Sequence, residues 1–82
     1  MRAPLCLALA ASSLLAAPAM ADYRAECLSG IEMIKAEVAK DPAAPVLAQL
    51  RTSLRIAERE RGEAEWDECV DAVKDARKAL GQ

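Results

Sequence analysis

The chain contains no histidine and no phenylalanine, and its only aromatic residues are Tyr23 and Trp66. Without an imidazole the commonest general base at neutral pH is missing. The hydroxyls beyond residue 21 are Tyr23, Ser29, Thr52 and Ser53, and none has a recognisable catalytic partner at a telling spacing. The two cysteines of that region are 42 residues apart, so no Cys-x-x-Cys redox pair exists. These absences argue against an enzyme. Eleven Lys and Arg against thirteen Asp and Glu give a net charge of −2, which leaves no basic excess to hold a nucleic-acid backbone. No apolar run reaches the roughly 18 residues that a membrane span requires. Beyond residue 21, no segment alternates apolar and polar residues with period two, the signature of a half-buried strand. The hydrophobic residues, 54% of the chain, are mostly Ala and Leu, which favour helix over strand.

The N-terminus has a different character. Arg2 is a short positive segment, Leu5 to Ala17 is apolar apart from Ser12 and Ser13, and Pro18 ends the run. Ala19-Met20-Ala21 then places small residues at −3 and −1 of a cleavage site. That three-part order predicts a secretory signal peptide over residues 1–21 and a periplasmic or secreted mature chain. Cys6 lies at the start of the apolar run, which does not fit a lipid anchor. Cleavage leaves a domain of 61 residues, Asp22 to Gln82, with ten basic and thirteen acidic side chains.

Two cysteines remain in it, Cys27 and Cys69. In an oxidising compartment an even count predicts one bridge. A domain below about 70 residues usually needs such a staple, and closing this loop is worth about 4 kcal/mol in the chain-entropy model.

Three segments carry helical spacing. Cys27, Ile31, Ile34 and Val38 fall at steps of 4, 3 and 4, behind Asp22 as a predicted N-cap and ahead of Asp41-Pro42 as a stop. Gly30 weakens this helix by about 1 kcal/mol relative to Ala. Leu47, Leu50, Leu54 and Ala57 form a second stripe, with Pro42 and Pro45 bracketing its start and Gly62 as its predicted stop. Trp66, Cys69, Val73, Ala76 and Leu80 form a third, which runs out at Gly81. Carrying the second stripe past Arg61 lands on Ala64 and then on the acids Glu68, Asp71 and Asp75, so the apolar face jumps near Gly62 and a turn is expected there.

The first and third stripes match with one constant offset of 42, and the cysteines occupy the same layer. A two-helix hairpin would leave Cys69 about 15 Å beyond reach of Cys27, further than a disulfide spans. The expected fold is therefore all-α, an up-down-up three-helix bundle stapled by Cys27–Cys69. Trp66 and Arg61 are expected at the disulfide end, the arginine with its stem packed and its head in water.

Several apolar and charged residues lie off these stripes. Leu28, Val70, Met33 and Ile56 fall off the core positions, with Leu28 and Val70 flanking the cysteines at the same offset of 42. They predict an apolar strip for another protein or a second copy. Asp67, Asp71 and Asp75 share one helical face and form a candidate site for Ca²⁺ or a similar hard cation, although no EF-hand loop is present. The same acids also suit the positive N-terminus of the third helix. Arg51, Arg55 and Arg59 make an equivalent basic row, expected as a solvated face.

The stretch from Leu54 to Leu80 resembles a tetratricopeptide helix pair. Trp66, Cys69, Val73 and Ala76 stand where such a repeat carries aromatic, small, aromatic and small residues. The Gly62-to-Trp66 spacing is longer, Val73 is not aromatic and no second copy follows, so the likeness implies shared helix-hairpin packing and no family. The expected function is a non-enzymatic binding or accessory module without a cofactor. Two alternatives are an acid-responsive chaperone, loosened when thirteen carboxylates are neutralised against ten basic groups, and cation binding by the third helix.

Overall fold

A computed structural model describes residues 18–82. Residues 1–17, which hold most of the predicted signal peptide, lie outside the described part. The described chain is a compact three-helix domain with no strand: α1 (Pro18–Ala39), α2 (Ala44–Gly62) and α3 (Trp66–Ala79). No described helix is long and apolar enough to cross a membrane.

Helix α1 begins four residues before Asp22, so that residue is not the N-cap expected of it. Proline fits the first helical turn, where its missing N–H has no partner to lose, and Ala19, Met20 and Ala21 carry the helix onward. Helix α2 begins between Pro42 and Pro45 as the sequence implies. Helix α3 has Asp67 and Glu68 in its first turn and Arg77 and Lys78 in its last, which complements the dipole at both ends.

All three helices end on a residue in the left-handed region. For α1 this is Asp41, with φ 55°, whose N–H bonds to the Val38 carbonyl at 3.0 Å before Pro42 prevents further helix. For α3 it is Gly81, with φ 81°, and the next N–H, that of Gln82, reaches back to the Arg77 carbonyl at 2.9 Å. For α2 it is Ala64, with φ 58°, flanked by the same pair of bonds: Ala64 N–H to the Arg61 carbonyl and Glu65 N–H to that of Glu60. The chain therefore reverses at Ala64, two residues beyond the predicted stop, and Gly62 is still helical with open space around it.

Each helix touches the other two, and α2 and α3 share the largest contact. Cys27 lies against Cys69 with their Cα atoms 5.5 Å apart, and Gly30 lies against Val73. Contact thus advances in the same sense along α1 and α3, as the constant offset implies. The core consists of Cys27, Ile31, Ile34, Leu50, Ala57, Cys69, Val70, Ala72, Val73 and Ala76, with Val38, Leu54, Trp66 and Leu80 partly buried around it. Leu47 is half-buried at the margin of the predicted second stripe.

Val70 corrects the sequence reading. It is only 3% exposed and belongs to the core, not to a surface strip. The cause is the position of α3, which packs against both other helices. Its buried residues 69, 70, 72, 73 and 76 span roughly 160° of the helix surface at 3.6 residues per turn, far wider than one stripe. Gly30 also has a different meaning in the fold. It is buried, and a Cβ there would stand 2.5 Å from one Val73 methyl and 2.6 Å from the other. The glycine is what lets α3 approach α1 beside the cysteines.

Candidate functional site

The end of the bundle that holds Cys27 and Cys69 gathers the features with most chemical character. Both cysteines are fully buried and at disulfide distance, about one turn from the contact between Gly30 and Val73. Trp66 opens α3 and packs its inner edge on the core. The Arg24 guanidinium lies 5.4 Å from the centre of the Trp66 ring, close enough for a cation–π contact. The cation at this end is thus Arg24 of α1. Arg61, the sequence candidate, is exposed and lies outside that stack. Arg24 escaped the sequence reading because it belongs to no stripe and only the fold brings it to Trp66.

Tyr23 lies next to Arg24 and is the exposed large hydrophobic residue of the described chain, at 40%. It continues the Cys27, Ile31 and Ile34 stripe one turn toward the N-terminus. Leu28, beside Cys27, is half-buried. Met33 and Ile56 are also half-buried, but both pack against the core cluster. Of the four apolar residues proposed for a partner surface, Val70 is therefore interior, Met33 and Ile56 belong partly to the core, and Leu28 stands beside the cysteine pair.

The acidic row stays spread along the outer face of α3. Asp67, Asp71 and Asp75 are exposed, and among the described residues no three Asp, Glu or Cys side chains converge on a common point. Positions eight residues apart on a helix are separated by about 12 Å, so one ion cannot reach both ends of the row. The acids do influence each other. Glu68 is held above its ordinary value of 4.5, first by the charge of Asp67, then by partial loss of solvent, then by Asp71, Glu60 and Glu65. Glu60 reaches this cluster from the end of α2, where Arg59 grips its carboxylate through Nε at 3.2 Å and a terminal nitrogen at 2.9 Å.

The basic row is exposed at Arg51, Arg55 and Arg59, and Arg59 turns to its neighbour Glu60, not to the acids of α3. One ion pair links α1 to α2, Lys35 with Glu58 at 3.6 Å; both side chains are well exposed, so it adds little. Ser53 is the buried polar residue of the core, and its hydroxyl accepts a bond from the Gln49 amide at 3.0 Å. An open depression between α2 and α3 is lined by Gln49, Asp75, Lys78 and Ala79. Comparison with protein-family models, with curated proteins and with solved structures finds no match to this chain.

Proposed function

We propose that residues 1–21 are a signal peptide and that the mature chain, cut after Ala21, is a periplasmic or secreted binding or accessory module that acts through protein–protein contact without catalysis. The observation that carries this reading is the disulfide end of the bundle. A buried cysteine pair at disulfide distance suits an oxidising compartment. Around it stand an exposed Tyr23, a half-buried Leu28 and a Trp66 stacked on Arg24. Aromatic and arginine side chains with apolar neighbours are the residue types that dominate the centres of protein interfaces.

The test is crosslinking in intact cells, followed by capture of the chain and mass spectrometry of its N-terminus and of what is bound to it. The reading predicts an N-terminus at Asp22 and one recurrent partner, which Leu28→Asp and Tyr23→Ser each remove while the helical signal is unchanged. An intact Met1 terminus would sink the export part. A partner set that is the same with and without these substitutions would sink the contact part.

A further inference from the structure

We propose that oxidation of Cys27 and Cys69 gates the fold: the chain stays open while both thiols are reduced and closes into the bundle only once they are joined. This rests on the export reading above for where the oxidant is met, but its physical basis is the composition of the core. The largest fully buried side chains are Ile31, Ile34 and Leu50, followed at once by the two cysteines and then by Ser53. The rest of the buried interior is Val70 and Val73 with the small residues Gly30, Ala57, Ala72 and Ala76. A core of three large aliphatic residues, two valines and several small residues, ringed by side chains only partly buried, leaves a narrow margin against the ordering of some sixty residues. The cysteine pair is thus both a central packing unit and the cross-link. It closes a sequence separation of 42, for which loop closure favours the folded state by about a thousandfold.

The position of the sulfurs fixes the order of events. Both cysteines are 0% exposed in the folded domain. A bulky oxidant cannot reach them there, so the bond forms while the chain is open. The oxidant is a disulfide-carrying protein of the thiol–disulfide exchange class. One cysteine thiolate attacks the donor disulfide and forms a mixed disulfide, releasing one donor thiol. The second cysteine thiolate then attacks the mixed disulfide and releases the other. Two protons and two electrons pass to the donor, which leaves as a dithiol, and the chain keeps one S–S bond. The same burial works in reverse: the folded domain shields its bond from reductants. A chain that remains unfolded before oxidation is also one that a translocation channel can thread.

The experiment uses protein made from the full 82-residue chain and isolated with whatever N-terminus the cell leaves. Circular dichroism at 222 nm is followed through heating, in oxidised protein and in protein reduced with dithiothreitol under denaturant and then transferred to native buffer with the reductant kept. Reduction removes no heavy atom from the core but parts the two sulfurs to van der Waals distance, so the Cys27→Ala/Cys69→Ala variant, which has no sulfurs to part, is measured beside it. The oxidised protein is expected to unfold in one cooperative transition. The reduced protein, and a Cys27→Ala/Cys69→Ala variant, are expected to show no such transition and a helical signal lowered severalfold. Added dithiothreitol should reduce the folded domain at least a hundredfold more slowly than the same protein in denaturant. A reduced protein that keeps its cooperative transition overturns the gate, as does an oxidised one that shows none. Either result leaves the partner reading standing, and failure to find a partner leaves the gate standing.

Discussion

A Cβ atom placed on Gly30 would meet the two Val73 methyls at 2.5 and 2.6 Å, with Val73 Cβ at 3.0 Å. This contact reverses the usual ranking of alanine and glycine in a helix. Gly30→Ala gains about 1 kcal/mol in helix propensity. It also forces a β-branched, buried neighbour to move, an overpacking cost of about 1–3 kcal/mol. Urea unfolding is expected to show a net loss in the single variant. In the double variant with Val73→Ala the loss is expected to be smaller than the sum of the two single changes, because the clash is shared.

The end of α2 offers a change in the opposite direction. Ala64 is held at φ 58° where glycine is the usual occupant, and Gly62 stands in open helix where alanine is better. Ala64→Gly should raise stability by about 0.5–1 kcal/mol by removing the left-handed penalty. Gly62→Ala should add up to about 1 kcal/mol. The two changes exchange the residues' places, and a thermal scan of the double variant should show its midpoint raised by several degrees. A lowered midpoint would mean that the turn is not built as described.

Gln49 and Ser53 should respond unequally. The Ser53 hydroxyl is buried and its partner, Gln49, is exposed. Gln49→Ala leaves a buried hydroxyl without that partner and should cost about 1–2 kcal/mol. Ser53→Ala leaves an amide that water can satisfy, and should be close to neutral. Chemical denaturation of both variants checks the asymmetry; equal losses would contradict it.

Glu68 determines the sign of one pH effect. Its folded value lies above the ordinary 4.5, with Asp67 the largest cause. The folded state therefore holds this proton more firmly than the unfolded state does. Stability from this group is present when it is protonated and is lost as the pH rises through the raised value. Acidification from neutral to just above 4.5 should thus make Glu68 less unfavourable. Glu68→Gln should be more stable than the parent at pH 7, and the difference should shrink as the pH falls through that range. A difference that grows on acidification would refute the assignment. An acid-loosened chaperone needs other groups to outweigh the opposite effect of Glu68.

Much of the frame could be read from spacing because it rests on large apolar side chains and cysteines. Ile31, Ile34, Leu50, Val73 and the matched cysteines announce their faces by hydrophobicity at steps of three and four. The interior residues that escaped, Ser53, Ala72 and Gly30, are small or polar and carry little such signal. Val70 departs from the one-stripe expectation because α3 buries a face roughly 160° wide, which a single stripe does not describe. The disulfide end was expected to hold Trp66, but its pairing with Arg24 and the exposure of Tyr23 depend on where α1 meets α3, which no periodicity encodes. Asp67 and Asp75 share a face on a helical wheel, a projection that removes the 12 Å or so of helix axis between them.

The short linker Asp41-Pro42-Ala43 lies between the two bonded positions, so a cut there opens a ring and releases nothing. The two fragments, one ending with α1 and the other holding α2 and α3, stay joined through Cys27 and Cys69. Such a nicked molecule would run as one species on a non-reducing gel and as two after reduction. A chain built this way can lose the continuity of its backbone between α1 and α2 and still diffuse as a single particle.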